Sequence, residues 1–184
     1  MNTRKVEQMT EETKPLKLDL GCGMRKAGPD WTGVDCRQFE GVDLVADLRE
    51  PWTWADGTVD EIFSSHFIEH LTAAERIHFA NEAHRVLKLG AKCVVIAPHW
   101  ASCRAYGDLT HVWPPVSEFW PYYLDKEWRA VNAPHNDGYT CDFTHGCGPG
   151  LDAQVLTRSQ DFQQFAARYF KEACQDIHIH LTKR

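Results

Sequence analysis

Leu18-Asp19-Leu20-Gly21-Cys22-Gly23 decides the fold of this 184-residue chain. Apolar and polar residues alternate over residues 16–20, which is the pattern of a strand with one buried face. Gly21 and Gly23 follow directly, and because glycine has no Cβ, a ligand can lie against the backbone there. Asp19 adds a carboxylate that can meet a cationic or amine-bearing ligand. The stretch therefore predicts a strand that ends at a ligand-binding turn.

A second acid follows at a suitable distance. Gly33-Val34-Asp35 is typical of a short strand that ends in a carboxylate, twelve residues after Gly23. One carboxylate can accept hydrogen bonds from both hydroxyls of a ribose. The two stretches together predict a nucleoside-binding edge of a sheet.

The rest of the chain predicts alternating strands and helices, and therefore a parallel sheet. Between the two acids there is room for only a turn or two of helix, which Gly28-Pro29 ends. Thr72-Ala73-Ala74-Glu75 is a capping box that starts a longer helix, and Gly90 is expected to end it. Further strands are predicted at residues 32–34, 43–45, 59–64 and 93–97.

Residues 99–150 form an aromatic, loop-rich insert with a short helix predicted within residues 116–124. An insert of this kind is expected to be a substrate lid, although a subdomain that only covers the sheet edge remains an alternative. Beyond it, an apolar stripe at helical spacing predicts a helix, and alternation over residues 177–182 predicts the last strand. The stripe consists of Phe162, Phe165, Ala166, Tyr169, Phe170 and Ala173.

Composition excludes several classes of function. The net charge is −6 and no Lys/Arg cluster is visible, so general attraction to nucleic acid or to an anionic membrane is not implied. No apolar run approaches the ~20 residues that span a bilayer. Seven cysteines without framework spacing favour a reducing compartment, so a cytoplasmic protein is expected. We expect a flexible arm over residues 1–15 and a single domain over residues 16–184.

Four blocks, in this order and at these spacings, resemble the class I S-adenosylmethionine-dependent methyltransferases, in particular small type-11-like members with a shortened first helix. The blocks are residues 18–23, residues 33–35, residues 47–52, and residues 63–71 with 85–90. The resemblance implies a Rossmann-like α/β fold. Its seven-stranded, mostly parallel sheet has the order 3-2-1-4-5-7-6, with helices on both faces and the last strand antiparallel.

The resemblance also implies S-adenosylmethionine as cofactor and a methyltransferase activity. The glycine turn with Asp19 is expected to contact the methionine part, Asp35 the ribose, and Asp47 with Leu48 the adenine. His66 follows the fourth strand and is expected to face the methyl group. The full set of expected cofactor-binding residues is Asp19, Gly21, Cys22, Gly23, Asp35, Asp47, Leu48, Ser65 and His66.

The acceptor is less defined by the sequence. Candidate catalytic residues are His66, Asp108 and His111, because an acceptor that starts protonated benefits from a nearby base. His99 and His145 are weaker candidates, and each of these histidines has an ordinary alternative as a polar loop or core residue. The acceptor is expected to enter over residues 100–123 and to be a small molecule. The aromatic side chains available to it are Trp113, Trp120, Tyr122 and Tyr123.

The sequence disfavours three other chemistries. His66-Phe67-Ile68-Glu69-His70 fits an H-x-x-E-H zinc protease pattern, but His66 is expected in a loop rather than on a helix. The loop histidines and thiols at Cys103, His111, Cys141, His145 and Cys147 do not have a standard zinc spacing, so no metal site is predicted. A nicotinamide dinucleotide site is disfavoured, since Lys26 occupies the position of the third glycine.

The sequence leaves alternatives of function open. The chain could be a cofactor-binding module or partner subunit without catalysis, which differs from an enzyme only in turnover. Protein methylation also stays open, whereas the acidic balance disfavours a nucleic-acid substrate. Oligomeric state cannot be inferred from these residues.

Overall fold

A seven-stranded sheet in the order β3-β2-β1-β4-β5-β7-β6 forms the centre of the computed structural model, which describes residues 14–184. The predicted arm over residues 1–15 falls almost wholly outside the described residues. Strand β7 runs antiparallel to both neighbours, β5 and β6, and the remaining pairs are parallel. The predicted strand order and the antiparallel last strand are confirmed. The strands are β1 (Lys17–Leu20), β2 (Thr32–Asp35), β3 (Leu44–Val45), β4 (Val59–Ser65), β5 (Leu87–Pro98), β6 (Phe143–Leu151) and β7 (Cys174–Lys183).

Five α-helices accompany the sheet: α1 (Ala73–Val86), α2 (Arg104–Gly107), α3 (Lys126–Asn132), α4 (Ala153–Leu156) and α5 (Gln160–Tyr169). Short 3₁₀ turns cover Ile68–His70 and Trp120–Leu124. The capping box of α1 is present as predicted, with Thr72 accepting from the Glu75 backbone and Glu75 accepting from Thr72. No helix within residues 14–184 has the length and apolar character needed to cross a bilayer.

The core lies on the sheet and draws on residues from Leu18 to Leu181. Phe79, Ala80, Ala83 and Val86 form the buried stripe of α1, which packs against the strands. Because the central strands β1, β4 and β5 are covered, their apolar side chains are removed from water, and this burial is the dominant stabilising term.

The end of α1 differs from the prediction. The helix ends at Val86, and β5 begins at once with Leu87, which pairs with Val59 of β4. Gly90, expected to end the helix, instead has a φ of +76° within β5. The ladder of hydrogen bonds to β4 therefore overrides the helical pattern that continues through Leu87. The connection between β1 and β2 contains turns only, so the shortened first helix is absent altogether.

Residues 99–150 are less irregular than expected, because they contain β6 at the sheet edge. The sequence of β6 holds three glycines and a proline, residues that weaken a strand pattern. It pairs with β7 alone, and an edge position tolerates such residues because one side of the strand makes no ladder bonds. The short helix expected within residues 116–124 is a 3₁₀ turn over Trp120–Leu124.

The apolar stripe of the C-terminal helix does not face the core. Among its aromatic residues, Phe162, Phe165, Tyr169 and Phe170 are all exposed, and Ala166 is the buried residue of α5. The helical prediction is confirmed, and the aromatic side chains of the stripe lie largely at the surface. The exposed rings stack on one another instead, with Phe165 within 5.5 Å of Tyr169 and of Phe170 between ring centres.

Candidate functional site

The carboxyl ends of β2, β3 and β4 border one cavity of about 550 Å³. Parallel strands of an open sheet place ligands at this edge, outside their carboxyl ends. Three predicted site residues, Asp35, Asp47 and Leu48, contribute to its wall. The complete lining is Asp35, Cys36, Arg37, Phe39, Ala46, Asp47, Leu48, Arg49, Phe67, His70, Leu71 and Thr110.

The glycine turn is hydrogen-bonded to Asp35, which lines this cavity. The Gly23 amide donates to Oδ2 of Asp35 at 3.0 Å, and the Arg37 amide donates to Oδ1 at 3.1 Å. Gly21 has a φ of +73°, and its amide donates to the carbonyl of Val34. A carboxylate offers about four lone-pair sites, so Asp35 can still accept from two ribose hydroxyls.

Asp47 also lines the cavity and is paired with Arg49, two residues further along the chain. Nε and Nη2 of Arg49 donate to the two carboxylate oxygens at 2.9 and 2.6 Å. This guanidinium lowers the pKa of Asp47 to about 2. An adenine amino group that bonds to Asp47 would share the carboxylate with Arg49. Leu48 is buried, and its carbonyl accepts from Nε1 of Trp52, which fixes the backbone beside Asp47.

Asp19 and Cys22 support the turn from beneath rather than lining the cavity. Asp19 is buried, and its Oδ2 accepts from the Ala27 amide at 2.6 Å. Burial raises the pKa of Asp19. Burial likewise raises the pKa of the Cys22 thiol to about 11, so this thiol stays protonated. A Cβ on Gly33 would stand 2.9 Å from the Cys22 sulfur, so the Cys22 turn packs closely against β2.

Ser65 is the last residue of β4 and His66 follows it, but both lie outside the lining of the cavity. His66 has a φ of +54°, a left-handed conformation that is uncommon outside glycine. Its Nδ1 lies 3.3 Å from Oε1 of Glu69, and its Nε2 lies 3.8 Å from Oδ1 of Asp176. The Glu69 carboxylate raises the pKa of His66. His66 therefore faces two acids rather than the cavity that Asp35 and Asp47 line.

Asp108 and His111 are brought to the same region by the insert. Asp108 accepts from the amide and the hydroxyl of Thr110 at 2.8 and 2.7 Å. These bonds lower the pKa of Asp108, which makes it a weak base. The ring of His111 packs edge-on against that of His70, with 4.8 Å between ring centres. Both histidines lie beside Glu69.

His99 and His145, the weaker candidates for a catalytic base, make contacts elsewhere in the structure. His99 is buried, and its ring nitrogens bond to the Ala101 amide and to Oε1 of Glu118 at 2.7 Å. His145 packs against Tyr122. The thiols of Cys103, Cys141 and Cys147 are free. Within residues 14–184 these cysteines and His145 form no metal-ligating group.

The predicted acceptor aromatics divide between two smaller cavities. Trp120 and Tyr123 line an apolar cavity of about 290 Å³ between α1 and the insert. Trp113 lines a cleft of about 210 Å³ together with Asp108 and His111. Tyr122 borders neither cavity and stacks with Trp128 and His145.

Sequence reasoning missed four residues of this region: Phe67, Glu69, His70 and Thr110. Phe67 packs against Gly21 and lines the main cavity. Glu69 and His70 had a signal in the sequence, since both belong to the rejected H-x-x-E-H pattern. Thr110 had none, because its contact with His70 joins residues forty positions apart.

A protein-family model described as a methyltransferase domain matches residues 18–95 of this chain. That range covers β1 to β4, α1 and most of β5. A search of curated proteins finds no match.

Solved structures share the fold over most of the chain. A SAM-dependent methyltransferase from Archaeoglobus fulgidus aligns with a TM-score of 0.64 and 19% identity, covering 92% of this chain and 86% of that one. A putative S-adenosylmethionine-dependent methyltransferase from Listeria monocytogenes gives 0.55 and 14%, covering 93% and 90%. Geranyl diphosphate C-methyltransferase from Streptomyces coelicolor A3(2), in complex with Mg²⁺, geranyl diphosphate and S-adenosyl-L-homocysteine, gives 0.53 and 15%, covering 92% and 73%.

Proposed function

We propose that this chain is a class I S-adenosylmethionine-dependent methyltransferase that transfers the methyl group to a small-molecule acceptor. The observation that carries the proposal is the cavity that joins Asp35 and Asp47 at the carboxyl ends of β2 and β3. We assign the ribose of the cofactor to Asp35 and the adenine to the wall formed by Asp47 and Leu48.

The size and place of the acceptor cleft favour a small substrate. Thr110 lines the cofactor cavity, and its neighbours Asp108 and His111 line the adjoining cleft of about 210 Å³. A cleft of this volume receives a small molecule or the end of a longer one. We therefore keep His111 as an acceptor-side residue and assign Asp108 to holding the Thr110 turn, whereas His66 lines neither the cavity nor the cleft.

The proposed reaction asks little covalent chemistry of the protein. The cofactor supplies the reactive methyl carbon when bound. The side chains of the chain have to hold the nucleoside, align the acceptor and exclude water. Asp35 holds a hydroxyl-bearing sugar, Phe67 and Leu48 supply apolar surface, and Thr110 of the insert lines the same cavity. A catalytic triad is not required for this chemistry.

We also propose a cytoplasmic location. All seven cysteines are free thiols, and four of them are buried in the fold. Free thiols persist where the environment is reducing.

Isothermal titration calorimetry tests the cofactor assignment. S-adenosylmethionine and S-adenosylhomocysteine should each bind the wild-type chain, and Asp35→Ala should weaken both strongly. The matched control is Asp137→Ala, because Asp137 is an exposed acid of the insert and is not part of the cavity lining. Absence of any heat for both compounds at millimolar concentration would end the proposal.

Turnover separates an enzyme from a binding module. Release of S-adenosylhomocysteine is measured with panels of small hydroxyl and amine compounds, with peptides and with RNA. Turnover with small compounds that is lost in Asp35→Ala supports the proposal. Turnover with peptide or RNA alone contradicts the acceptor class, and binding without any turnover points to a cofactor-binding module.

A further inference from the structure

Glu69 is an acidic side chain buried without a hydrogen-bond partner. It is 4% exposed, and neither of its carboxylate oxygens is hydrogen-bonded within the described part of the chain. Nδ1 of His66 approaches Oε1 to 3.3 Å but outside hydrogen-bond geometry. Burying an unpartnered carboxylate is costly, so such a group calls for a physical explanation.

Two imidazoles lie beside this carboxylate. Ligand atoms of Glu69, His70 and His111 all lie within 4.8 Å of one another. Ligand atoms bonded at about 2.1 Å to one ion are at most about 4.2 Å apart, so small side-chain adjustments would bring this set onto a single ion. Within residues 14–184 it is the one group of three metal-ligating residues that meets this spacing.

Hydrogen bonds leave Nε2 of His70 free to bind a ligand. The Thr110 hydroxyl lies 2.7 Å from Oδ1 of Asp108 and 3.0 Å from Nδ1 of His70. An ionised Asp108 only accepts, so the Thr110 proton goes to Asp108 and Nδ1–H of His70 donates to Thr110. The neutral ring then carries its free lone pair on Nε2. This Asp108–Thr110–His70 chain is the kind of support that orients a metal-ligating histidine.

A hydrogen bond also leaves Nε2 of His111 free to bind a ligand. Its Nδ1 lies 3.3 Å from the carbonyl of Ala105, an acceptor, so Nδ1 carries the proton and Nε2 is free. The backbone fixes the loop as well, because the Val112 amide donates to the carbonyl of Glu69. Arg76, which is buried, donates to the carbonyls of Ile68, Val112 and Pro114 and so ties both sides of the group together.

We propose that Glu69, His70 and His111 bind a divalent first-row transition metal ion at the edge of the cofactor cavity. Imidazole and carboxylate ligands together suit Zn²⁺, Mn²⁺ or Fe²⁺, and three protein ligands leave coordination positions open. His70 and Thr110 line the cofactor cavity, so those positions adjoin the space assigned to the substrates. Water or an oxygen of the acceptor would fill them. His66 is not a ligand in this arrangement, which differs from the H-x-x-E-H pattern.

The site is tested on the full chain after removal of metals with a chelator. Equilibrium dialysis against MnCl₂ and, separately, ZnCl₂ is followed by elemental analysis of bound metal per chain. We use both ions because the free thiols can hold Zn²⁺, whereas Mn²⁺ prefers oxygen and nitrogen ligands. The wild-type chain should bind one ion of at least one of these metals per chain.

Variants decide whether that ion occupies the proposed site. Glu69→Gln and His111→Ala should lose it, and Thr110→Val should bind about 10–100-fold more weakly because His70 loses its orienting partner. His135→Ala is the matched control, since His135 is exposed in a loop of the insert and should leave binding unchanged. Circular dichroism verifies that each variant is folded.

Binding of neither ion to the wild type, or equal binding by Glu69→Gln and His111→Ala, would overturn the proposal. The experiment contains no cofactor, so its outcome is independent of the S-adenosylhomocysteine titration. Either result can fail while the other holds.

Discussion

Phe67 lies directly on Gly21, so that a Cβ at residue 21 would stand 2.5 Å from Cγ of the ring. The end of β4 thereby covers the glycine turn that ends β1. The contact joins two stretches of sequence that are forty-six positions apart, and it forms one wall of the main cavity. It also explains why the turn needs glycine for a reason beyond its backbone angle.

Gly21→Ala should therefore destabilise the protein more than Gly23→Ala. Both residues have positive φ, of +73° and +54°, which an alanine adopts at a cost of about 1–2 kcal/mol. At Gly21 the clash with Phe67 adds to this, for a total of about 2–5 kcal/mol. At Gly23 nothing lies within 4 Å of the added Cβ. Urea denaturation measures both variants, and equal losses would show that Phe67 is displaced easily.

Glu118→Ala should loosen the start of the insert. Glu118 accepts from His99 at 2.7 Å and from Nε1 of Trp100 at 2.9 Å, and His99 is buried. Because half of the Glu118 side chain is exposed, we expect a loss of only about 1 kcal/mol. Faster amide hydrogen exchange around residues 99–102, with no change in α1, is the expected local signature.

The contact between Glu118 and His99 predicts that the stability of the protein depends on pH. The His99 contact lowers the pKa of Glu118 to about 2, below its ordinary value near 4.3. A depressed acid stabilises the fold above its unfolded pKa, and this contribution disappears as pH falls from about 4.3 to 2. Wild type and Glu118→Ala should therefore converge in stability at the acid end of this window. A difference that persisted unchanged at pH 2 would contradict the assignment.

Arg76→Lys should be strongly destabilising although it keeps the charge. The guanidinium is buried and donates to three carbonyls in a planar fork that lysine cannot reproduce. We expect a loss of about 3 kcal/mol in the free energy of unfolding. Arg25→Lys is the control, because Arg25 is exposed, and it should change stability by less than about 0.5 kcal/mol. A lysine variant as stable as wild type would show that the three carbonyls find other donors.

Phe165→Ala and Phe79→Ala should differ in their effect on stability, because Phe165 lies in an exposed aromatic stripe and Phe79 lies in the core. Phe79 of α1 is 1% exposed, and its truncation should destabilise the protein by about 3–5 kcal/mol. Phe165 of α5 is 51% exposed, so its truncation should change stability by less than about 1 kcal/mol. Thermal and urea unfolding compare the two. A large effect at Phe165 would mean that the stripe is covered in solution.

The grouping of Asp35 and Asp47 at one cavity could be predicted because each lies at or just after the end of a short strand. Asp35 and Asp47 each follow a short strand, and parallel strands bring their carboxyl ends to one edge. Position in the sheet alone therefore places them together. The pairing of Asp47 with Arg49 was not foreseen, since it depends on the rotamer of an exposed arginine.

The insert resisted prediction for a different reason. Its strand β6 is rich in glycine and is formed by pairing with β7, whose partner residues lie between 23 and 40 positions away in sequence. Likewise, α5 is amphipathic but its aromatic face stays outside, because periodicity shows that a face exists and not what covers it.

The sequence by itself determined the alternation of strands and helices, the capping box of α1, the glycine turn and its acids. Each of these follows from backbone propensity or from side chains within a few positions of one another. Only the tertiary structure decided that Glu69, His70 and His111 place ligand atoms within 4.8 Å of one another, and that Thr110 contacts His70. Those contacts depend on how the insert folds back onto the end of β4, which is a matter of long-range packing that local sequence does not encode.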